Sequence, residues 1–426
     1  MEQTFFEQAK TDIHHSLISL IDLEKLSRMD GEQAREAVAS VIQQIVATGK
    51  VAFNATEKGR LVSDLQDEVF GLGPIEPLLR DYDISDILVN NRNNVFIERK
   101  GVLEKINVSF RNDAHLLQII DRIVSAVGRR IDESTPMVDA RLADGSRVNA
   151  IIPPLALDGP ALSIRRFGKG PLEPESLLEF KTMSPEMLEL LQSAVQARVS
   201  VLISGGTGAG KTTLLNVLAR SIPDRERIIT IEDAAELQLL NSNVVRLETR
   251  MPNVEGNGAV RQRQLLINCL RMRPDRIILG EVRGEEAFDM LQAMNTGHEG
   301  SMCTIHANTP RDALSRLESM VAMANLNFPE KTVRQQIAAA IALVVQVSRM
   351  SDGSRKVVNI SEITGLDDHL INMHEVFRFQ RKGISPAGKV VGTFLPTRIR
   401  PRFLEQLAVA GIHLRDDLFE HSMEVN

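Results

Sequence analysis

The sequence contains no tryptophan and a single tyrosine, Tyr82, and aromatic residues make up only 4% of it. Proteins that bind single-stranded nucleic acid combine a basic groove with aromatic side chains on which the bases stack. Here 56 acidic residues outnumber 50 basic ones and leave a formal net charge of −6. The composition therefore argues against a nucleic-acid motor, although a local basic patch could be hidden in these totals.

Cysteines and long apolar runs are also scarce. Only Cys269 and Cys303 are present, in apolar segments and without metal-ligand spacing, which indicates buried thiols in a reducing compartment. The longest apolar run, IAAAIALVV, is far shorter than a membrane span. The N-terminal sequence MEQTFFEQAK lacks the basic and apolar pattern of a secretory signal. We therefore expect a cytoplasmic protein.

The length of 426 residues is sufficient for two or three globular domains. Residues 1–58 carry apolar side chains at helical spacing, interrupted by MDGE, and are predicted to form a helical element. Residues 59–168 alternate short strands with one strong helix, which predicts a small α+β domain. The Gly- and Pro-rich segment FGKGPLEPESL indicates a linker, which we place at residues 169–183.

The remainder of the chain is predicted to contain the main α/β domain. Residues 184–365 hold four apolar runs, VSVLIS, RIITIE, RIILGE and SMCTIHA, which are separated by helical segments. Such runs are typical of a parallel sheet buried on both faces, and they predict a nucleotide-binding core. Residues 366–426 show only generic strands and a helix near PRFLEQLAVAG, so we treat them as a C-terminal extension.

A glycine-rich loop follows the first of these runs. The segment GGTGAGKT fits G-x-x-x-x-G-K-[ST] and lies between the strand VSVLIS and the helix TTLLNVLARSI. Glycines let backbone N–H groups turn inward around a phosphate, and the helix N-terminus adds partial positive charge. Lys211 would reach the β- and γ-phosphates, and Thr212 would offer its hydroxyl to Mg²⁺. The predicted ATP-binding residues are Gly205, Gly206, Thr207, Gly208, Ala209, Gly210, Lys211, Thr212 and Thr213.

Hydrolysis also needs acids that hold the metal ion and orient the attacking water. Glu281 ends the strand RIILGE, and the end of a strand in a doubly wound sheet faces the phosphate site. The run IITIEDAAE places Glu232, Asp233 and Glu236 after another strand. These three acids could act on water, or they could form an ordinary acidic cluster at a helix N-terminus.

Two histidines, His298 and His306, frame a fourth strand in NTGHEGSMCTIHANTP. Taken alone, each is more typical of a structural residue than of a catalytic one. Thr309 and Pro310 mark the start of the next helix and therefore fix where the strand ends. At that end, His306 could sense the γ-phosphate or contact a catalytic carboxylate.

Four motifs together resemble the boxes of a known family. GGTGAGKTT, TIEDAAELQL, LRMRPDRIILGEVRG and MNTGHEGSMCTIHANTP look like the Walker A, acidic, Walker B and histidine boxes of the type II/type IV secretion traffic ATPases. With the upstream VGRRIDESTPMVDARLADGSRVNAIIPPLALDGPALSIRRF, they are similar to the CpaF branch, which powers Tad (Flp, type IVc) pili. The resemblance covers roughly residues 60–365. It implies a RecA-like P-loop ATPase core behind a smaller N-terminal domain.

The resemblance also implies a mechanism and partners. By it, Glu281 holds or polarises the Mg²⁺ site and Glu236 is the base that activates water, with Glu232 as the alternative. Family arginines at the positions of Arg147 and Arg165 reach the nucleotide phosphates, a role that suits the planar guanidinium. The other reading of these arginines is surface residues paired with nearby acids. The family forms homo-hexameric rings that work with inner-membrane platform proteins, and nucleic acid is not expected as a partner.

Other functions stay open at this point. A RecA-like nucleic-acid motor would share the phosphate chemistry, and a nucleotide-gated scaffold would bind ATP with little turnover. A small-molecule P-loop kinase would leave the predicted domain at residues 59–168 unexplained. The sequence does not specify whether a pilus motor would extend the pilus, retract it or do both.

Overall fold

The computed structural model describes residues 2–21, 26, 29–49, 53–99, 101–168, 170, 172–250, 252, 257–324 and 328–425. The chain divides into two compact units, residues 1–168 and residues 169–426. Each unit has its own hydrophobic core.

The first unit begins with three helices around a small apolar core. They are α1 (Glu2–Leu20), α2 (Gly31–Thr48) and α3 (Ala55–Phe70). Asp30 caps α2 by accepting hydrogen bonds from two backbone N–H groups of its first turn, so the break at MDGE is a helix start. Leu61 and Leu65 of α3 are buried in the same cluster as Leu17. The helical packing therefore continues past residue 58, where the sequence placed its end.

A six-stranded antiparallel sheet covered by a long helix forms the rest of the first unit. Its elements are a 3₁₀ turn (Gly73–Ile75), α4 (Glu76–Arg80), β1 (Ile84–Asn91), β2 (Asn94–Arg99), β3 (Val102–Ile106), α5 (Asp113–Ala126), β4 (Met137–Arg141), β5 (Arg147–Ile151) and β6 (Ala161–Arg165). The strand order is β3-β2-β1-β6-β5-β4. Leu116 and Ile120 of α5 share one core with Ile87, Val148 and Ile164 of the sheet. This is the α+β arrangement that the alternating pattern predicts.

A ten-stranded sheet forms the centre of the second unit. Its strands are β7 (Val201–Gly205), β8 (Ile228–Glu232), β9 (Val244–Glu248), β10 (Arg276–Val282), β11 (Met302–Ile305), β12 (Leu343–Arg349), β13 (Arg355–Asp367), β14 (Leu370–Ile384), β15 (Val390–Pro396) and β16 (Met423–Val425). The order is β16-β15-β14-β13-β12-β7-β11-β10-β8-β9. Strands β7 to β12 pair in parallel, and β13 to β16 continue the sheet in antiparallel fashion.

Helices cover both faces of this sheet. They are α6 (Pro174–Glu179), α7 (Pro185–Gln196), α8 (Lys211–Ala219), α9 (Gln262–Cys269), α10 (Glu286–Asn295), α11 (Pro310–Met323), α12 (Glu330–Ala340) and α13 (Leu404–Val409), with 3₁₀ turns at Leu270–Met272 and Asp416–Phe419. In β7, Leu202 belongs to one core and Ile203 to the other. Because successive strand residues face opposite sides, this strand is buried on both faces, as its continuous apolar run predicts.

Two segments are more closely integrated than the sequence suggested. The predicted C-terminal extension, residues 366–426, supplies strands of the central sheet, and its Phe377 and Phe394 are buried in the core that α8 also contacts. The predicted linker contains α6, whose Leu177 is buried in that same core. Lys169 and Pro171 lie outside the described residues. Burial of these apolar side chains stabilises both segments as parts of the second unit.

Cys269 and Cys303 are buried free thiols, as predicted. Burial raises the pKa of each thiol to about 12, so both are protonated and inert at neutral pH. Within the described ranges, no helix has both the length and the apolar character needed to cross a bilayer.

Candidate ATP site

The glycine-rich loop joins β7 to α8, and three of its glycines are needed for its shape. Gly208 and Gly210 have φ values of +68° and +98°, in the left-handed region that side chains disfavour. A β-carbon on Gly205 would lie 2.5 Å from the carbonyl oxygen of Val347 in β12. The conformation of the loop therefore requires glycine at these three positions, which an incidental turn would not.

Lys211 is the first residue of α8, and its ammonium group lies against the loop. Its Nζ donates hydrogen bonds to the carbonyl oxygens of Gly205, at 3.1 Å, and Gly206, at 3.3 Å. The first N–H groups of α8 have no partner within the helix, and the helix dipole adds partial positive charge there. An ammonium group and a helix N-terminus thus meet at one glycine loop, an arrangement that binds phosphate.

The candidate acids and His306 lie at the same edge of the sheet as this loop. Strand β11 pairs in parallel with both β7 and β10, and β10 pairs in parallel with β8. Glu232 is the last residue of β8, Glu281 lies near the end of β10, and His306 directly follows β11. The carboxyl ends of parallel strands meet at one edge, which is where α/β proteins bind their ligands.

A chain of polar contacts links Glu281 to the loop through His306. One oxygen of Glu281 accepts a hydrogen bond from Arg283 at 2.7 Å, and the other lies 4.0 Å from Nδ1 of His306. Nε2 of His306 lies 3.5 Å from the hydroxyl of Thr207. His306 thus lies between the carboxylate of Glu281 and the hydroxyl of Thr207 in the loop.

The imidazole of His306 favours its neutral form. Burial lowers its pKa, the positive charge of Lys211 lowers it further, and Glu281 opposes both effects. The ring is therefore uncharged at neutral pH, with one nitrogen available as a donor and the other as an acceptor.

Glu232 has the most perturbed environment among the acids of the site. Its side chain is buried, and Oε1 accepts hydrogen bonds from the backbone N–H groups of Glu236, at 2.9 Å, and Leu237, at 3.0 Å. Burial raises the pKa of Glu232 to about 7 despite these bonds. Its Oε2 is buried without a hydrogen-bond partner among the described residues. A buried oxygen without a partner and a raised pKa, at the sheet edge that carries the glycine loop, make Glu232 a candidate functional acid.

Arg283 is a residue of this site that the sequence reasoning missed. Besides Glu281, its guanidinium contacts Asp233 at 3.3 Å, and the hydrogen bond to Glu281 raises its pKa. The charge of Glu236 acts in the same direction. Arg283 thus holds the two acidic strand ends together. Its place two residues after Glu281 in GEVRG was the available signal.

His298 lies at the other end of β11, before its first residue. Its Nδ1 is 3.1 Å from the carbonyl oxygen of Pro274, and its own carbonyl accepts a hydrogen bond from Ser301. These contacts give it a structural role at the amino edge of the sheet, whereas His306 lies at the carboxyl edge.

Arg147 and Arg165 belong to the first unit. They face each other on the paired strands β5 and β6, and Nε of Arg165 lies 3.4 Å from a carboxylate oxygen of Asp86. Arg147 and Arg165 are thus neighbours across two paired strands of one sheet. Their contact with nucleotide stays a prediction.

The residues of the site fit a magnesium ion that is shared with a nucleotide. Hydroxyl and carboxylate oxygens, as on Thr212 and Glu281, are the hard donors that Mg²⁺ prefers. In the part of the chain that the structure describes, no group of three His, Cys, Asp or Glu side chains could hold a metal. Mg²⁺ usually takes one or two protein groups and completes its shell with phosphates and water. The residues therefore suit a nucleotide-bound ion better than an all-protein metal site.

Comparison with known proteins gives the same picture. The family model described as "Type II/IV secretion system protein" matches residues 68–386. A Mycobacterium tuberculosis protein whose name refers to conjugal transfer is 38% identical over 303 residues, which cover 70% of this chain and 86% of the relative. The type IV secretion system protein PtlH of Bordetella pertussis is 34% identical over 325 residues, 70% of this chain and 95% of the relative.

A solved structure, the VirB11 ATPase from the Brucella suis type IV secretion system in complex with sulphate, is 29% identical. The match covers 69% of this chain and 97% of that one, with a TM-score of 0.37. The family match includes the whole of the glycine loop, the acidic strand ends and His306. The predicted P-loop α/β fold is confirmed, and the chain belongs to the Type II/IV secretion system protein family and is an ATPase of that family.

Proposed function

We propose that this ATPase is a motor that drives assembly of a Tad/Flp-type pilus, or of a related secretion machine, from the cytoplasmic face of the inner membrane. The observation that carries the proposal is the convergence of the glycine loop, Glu232, Glu281 and His306 at one edge of the sheet. The resemblance of the upstream segment to the CpaF branch supports a pilus as the machine. Retraction in addition to extension is compatible with the same chemistry.

Binding of ATP falls to the loop and the start of α8. Lys211, which donates to the carbonyl groups of Gly205 and Gly206 in this structure, would bind the β- and γ-phosphates, and the loop N–H groups would bind the same phosphates. Thr212 and Glu281 would hold Mg²⁺, which when bound neutralises charge on the phosphate oxygens. Because phosphoryl transfer depends on positioning and electrostatics, these contacts account for most of the expected catalysis.

Two acids compete for the role of base. The family resemblance favours Glu236. This residue is half-buried, and its charge helps to raise the pKa of Arg283. The burial, orphaned oxygen and raised pKa of Glu232 suit a base that works near neutral pH. Turnover of Glu236→Gln and Glu232→Gln, at saturating ATP, separates them. The variant that binds ATP but loses turnover identifies the base, and normal turnover in both would remove the two acids from the mechanism.

Arg147 and Arg165 are proposed to complete the phosphate site. Their adjacency on β5 and β6 supports this role, since two guanidinium groups on one face can bind several phosphate oxygens. Mixing Arg147→Ala subunits with Lys211→Ala subunits tests whether they act across an interface, because mixed rings would then recover part of the hydrolysis. Wild-type nucleotide affinity in both Arg147→Ala and Arg165→Ala would exclude the role.

The assembly proposed for the motor is a homo-hexameric ring that a membrane platform protein recruits. Light scattering with and without a non-hydrolysable ATP analogue tests the ring, and a monomer at all concentrations would contradict it. Fractionation of cells that lack the platform protein tests recruitment. Undiminished membrane recovery there would show that another partner holds the motor.

The names of two relatives favour a second candidate, in which the motor serves conjugal transfer or a type IV secretion system. One relative is named for conjugal transfer and another as a type IV secretion system protein. Counting surface pili and measuring cargo transfer in cells carrying Lys211→Ala distinguishes the two machines. Loss of pili alone supports the pilus, and loss of transfer with normal pili supports the alternative. Addition of single-stranded DNA should leave ATP turnover unchanged, whereas stimulation would indicate a nucleic-acid motor.

A further inference from the structure

The hairpin formed by β12 and β13 packs against the glycine loop, and no motif accounts for this contact. Val347 of β12 lies opposite Gly205 in parallel register. The carbonyl of Val347 occupies the space that a β-carbon on Gly205 would need. Backbone of the hairpin is therefore packed directly against the first residue of the loop.

Two arginines extend this contact along the loop. Arg349 ends β12, Arg355 begins β13, and they face each other in the antiparallel register. Nε of Arg355 donates a hydrogen bond to the carbonyl oxygen of Gly208 at 3.3 Å. A β-carbon on Gly208 would lie 3.4 Å from a terminal nitrogen of Arg349. Both arginines of the hairpin therefore lie against the glycine loop.

The turn of the hairpin provides a rigid support for these arginines. Asp352 accepts hydrogen bonds from the N–H and the hydroxyl of Ser354, at 3.0 and 2.7 Å, and from the N–H of Val390 at 2.9 Å. Although burial opposes the effect, these bonds lower the pKa of Asp352 to about 2. The carboxylate stays charged at neutral pH and ties the turn to β15.

A glycine-rich loop is poorly ordered unless other contacts hold it. Glycine loses more backbone freedom than any other residue when its conformation is fixed, and Gly208 and Gly210 are both held at positive φ. Arg355 holds the Gly208 carbonyl, and its side chain also passes 3.8 Å from the position of a β-carbon on Gly210. The hairpin thus contacts both glycines from one side, while Lys211 contacts the loop carbonyls that precede them.

We propose that Arg355 is a positioning residue that holds the glycine loop in its phosphate-binding conformation before ATP arrives. This role rests on the ATP site proposed above. A preorganised loop binds more tightly because less ordering remains to be done on binding. Bound phosphates would order the loop themselves, so Arg355 acts on affinity much more than on the chemical step.

Arg355→Met tests the proposal because it removes the hydrogen-bond donor and keeps most of the apolar stem. Hydrogen exchange of the backbone amides from 205 to 213 in the nucleotide-free protein should rise about tenfold, the loss expected for one charge-assisted hydrogen bond. The Kd values for ATP and ADP should rise by a similar factor, about tenfold, and kcat at saturating ATP should stay within about twofold. Arg355→Lys retains a donor and should recover part of the affinity.

Arg381→Met is the matched control, because Arg381 donates to Ser351 in the same turn from the exposed side of β14. It should change neither loop exchange nor affinity. Unchanged loop exchange in Arg355→Met and Arg355→Gln would overturn the inference, as would a rise in exchange spread over the whole second unit. If Lys211→Ala loses nucleotide binding and Arg355→Met does not, the proposed ATP site is supported and the positioning role of Arg355 is excluded. If both bind as wild type, the ATP site itself is wrong.

Discussion

Glu232 lies so close to Gly280 that a methyl group on Gly280 would be 2.8 Å from Cγ of Glu232. Gly280 immediately precedes Glu281, and its carbonyl accepts a hydrogen bond from the hydroxyl of Thr304 at 2.6 Å. The two acids of the site are therefore packed together through one glycine of β10. A side chain at that glycine would displace Glu232 from the position that gives it a raised pKa.

Gly280→Ala should reduce ATP turnover strongly while the protein still folds. A displacement of about 1 Å at a reacting group can cost about 10²-fold in rate, and overpacking costs about 1–3 kcal/mol of unfolding free energy. Steady-state kinetics and denaturant unfolding measure the two effects. Gly383→Ala in β14, where a β-carbon would meet nothing within 4 Å, is the control. Wild-type kcat in Gly280→Ala would show that the position of Glu232 is unimportant.

Glu232→Gln should stabilise the protein at alkaline pH. The folded-state pKa is raised from 4.5 to about 7, so the folded protein binds the proton more readily than the unfolded chain. The contribution of Glu232 to stability is thus fully present below pH 4.5 and is lost as the pH rises to about 7. Relative to wild type, the variant should gain up to about 3 kcal/mol between pH 4.5 and pH 8. Denaturant unfolding across this range checks the trend, and a pH-independent difference would contradict it.

Among the described residues, Arg276 is the largest fully buried side chain, and we expect its substitution to change stability and not nucleotide binding. It donates hydrogen bonds to Glu226 at 2.5 Å and to the carbonyl oxygens of Gly300 and Val195. Arg276→Met should cost about 3–5 kcal/mol, since it leaves a buried acid with one partner fewer. Nucleotide affinity of the folded variant should be unchanged, because Arg276 begins β10 at the edge opposite the loop.

The double variant Glu226→Gln with Arg276→Met is the check on that explanation. In Arg276→Met the buried carboxylate of Glu226 keeps only the partly exposed Arg198, 3.3 Å away, as a charged partner, so the double variant should be more stable than Arg276→Met alone. Equal stability of the two would indicate that the carbonyl groups of Gly300 and Val195, and not the ion pair, carry the cost.

The site could be predicted where its chemistry is local in the chain. The glycine loop, Lys211 and Thr212 occupy consecutive positions between one strand and one helix, so the pattern specifies both the residues and their setting. The location of Glu281 and His306 near the loop could also be predicted, because parallel strands bring their carboxyl ends to one edge of the sheet. The roles of these residues remain predictions until the variants are measured.

Contacts between distant segments could not be read from the sequence. Arg355 and Gly208 are separated by 147 positions, and no sequence pattern around either residue predicts their contact. Gln346 likewise donates to the carbonyl groups of Ala307 and Asn308 and so supports the loop that carries His306. Strands β14 to β16 looked generic because their pairing to the central sheet, and not their own composition, defines them.

ATP hydrolysis by Lys211→Ala tests the central claim most directly. Lys382→Ala is the control, because Lys382 is exposed and pairs with Glu424 away from the loop. The account predicts that wild type and Lys382→Ala hydrolyse ATP at the same rate, and that Lys211→Ala loses hydrolysis and nucleotide binding with an unchanged unfolding transition. A folded Lys211→Ala protein with the wild-type kcat/KM for ATP would contradict it.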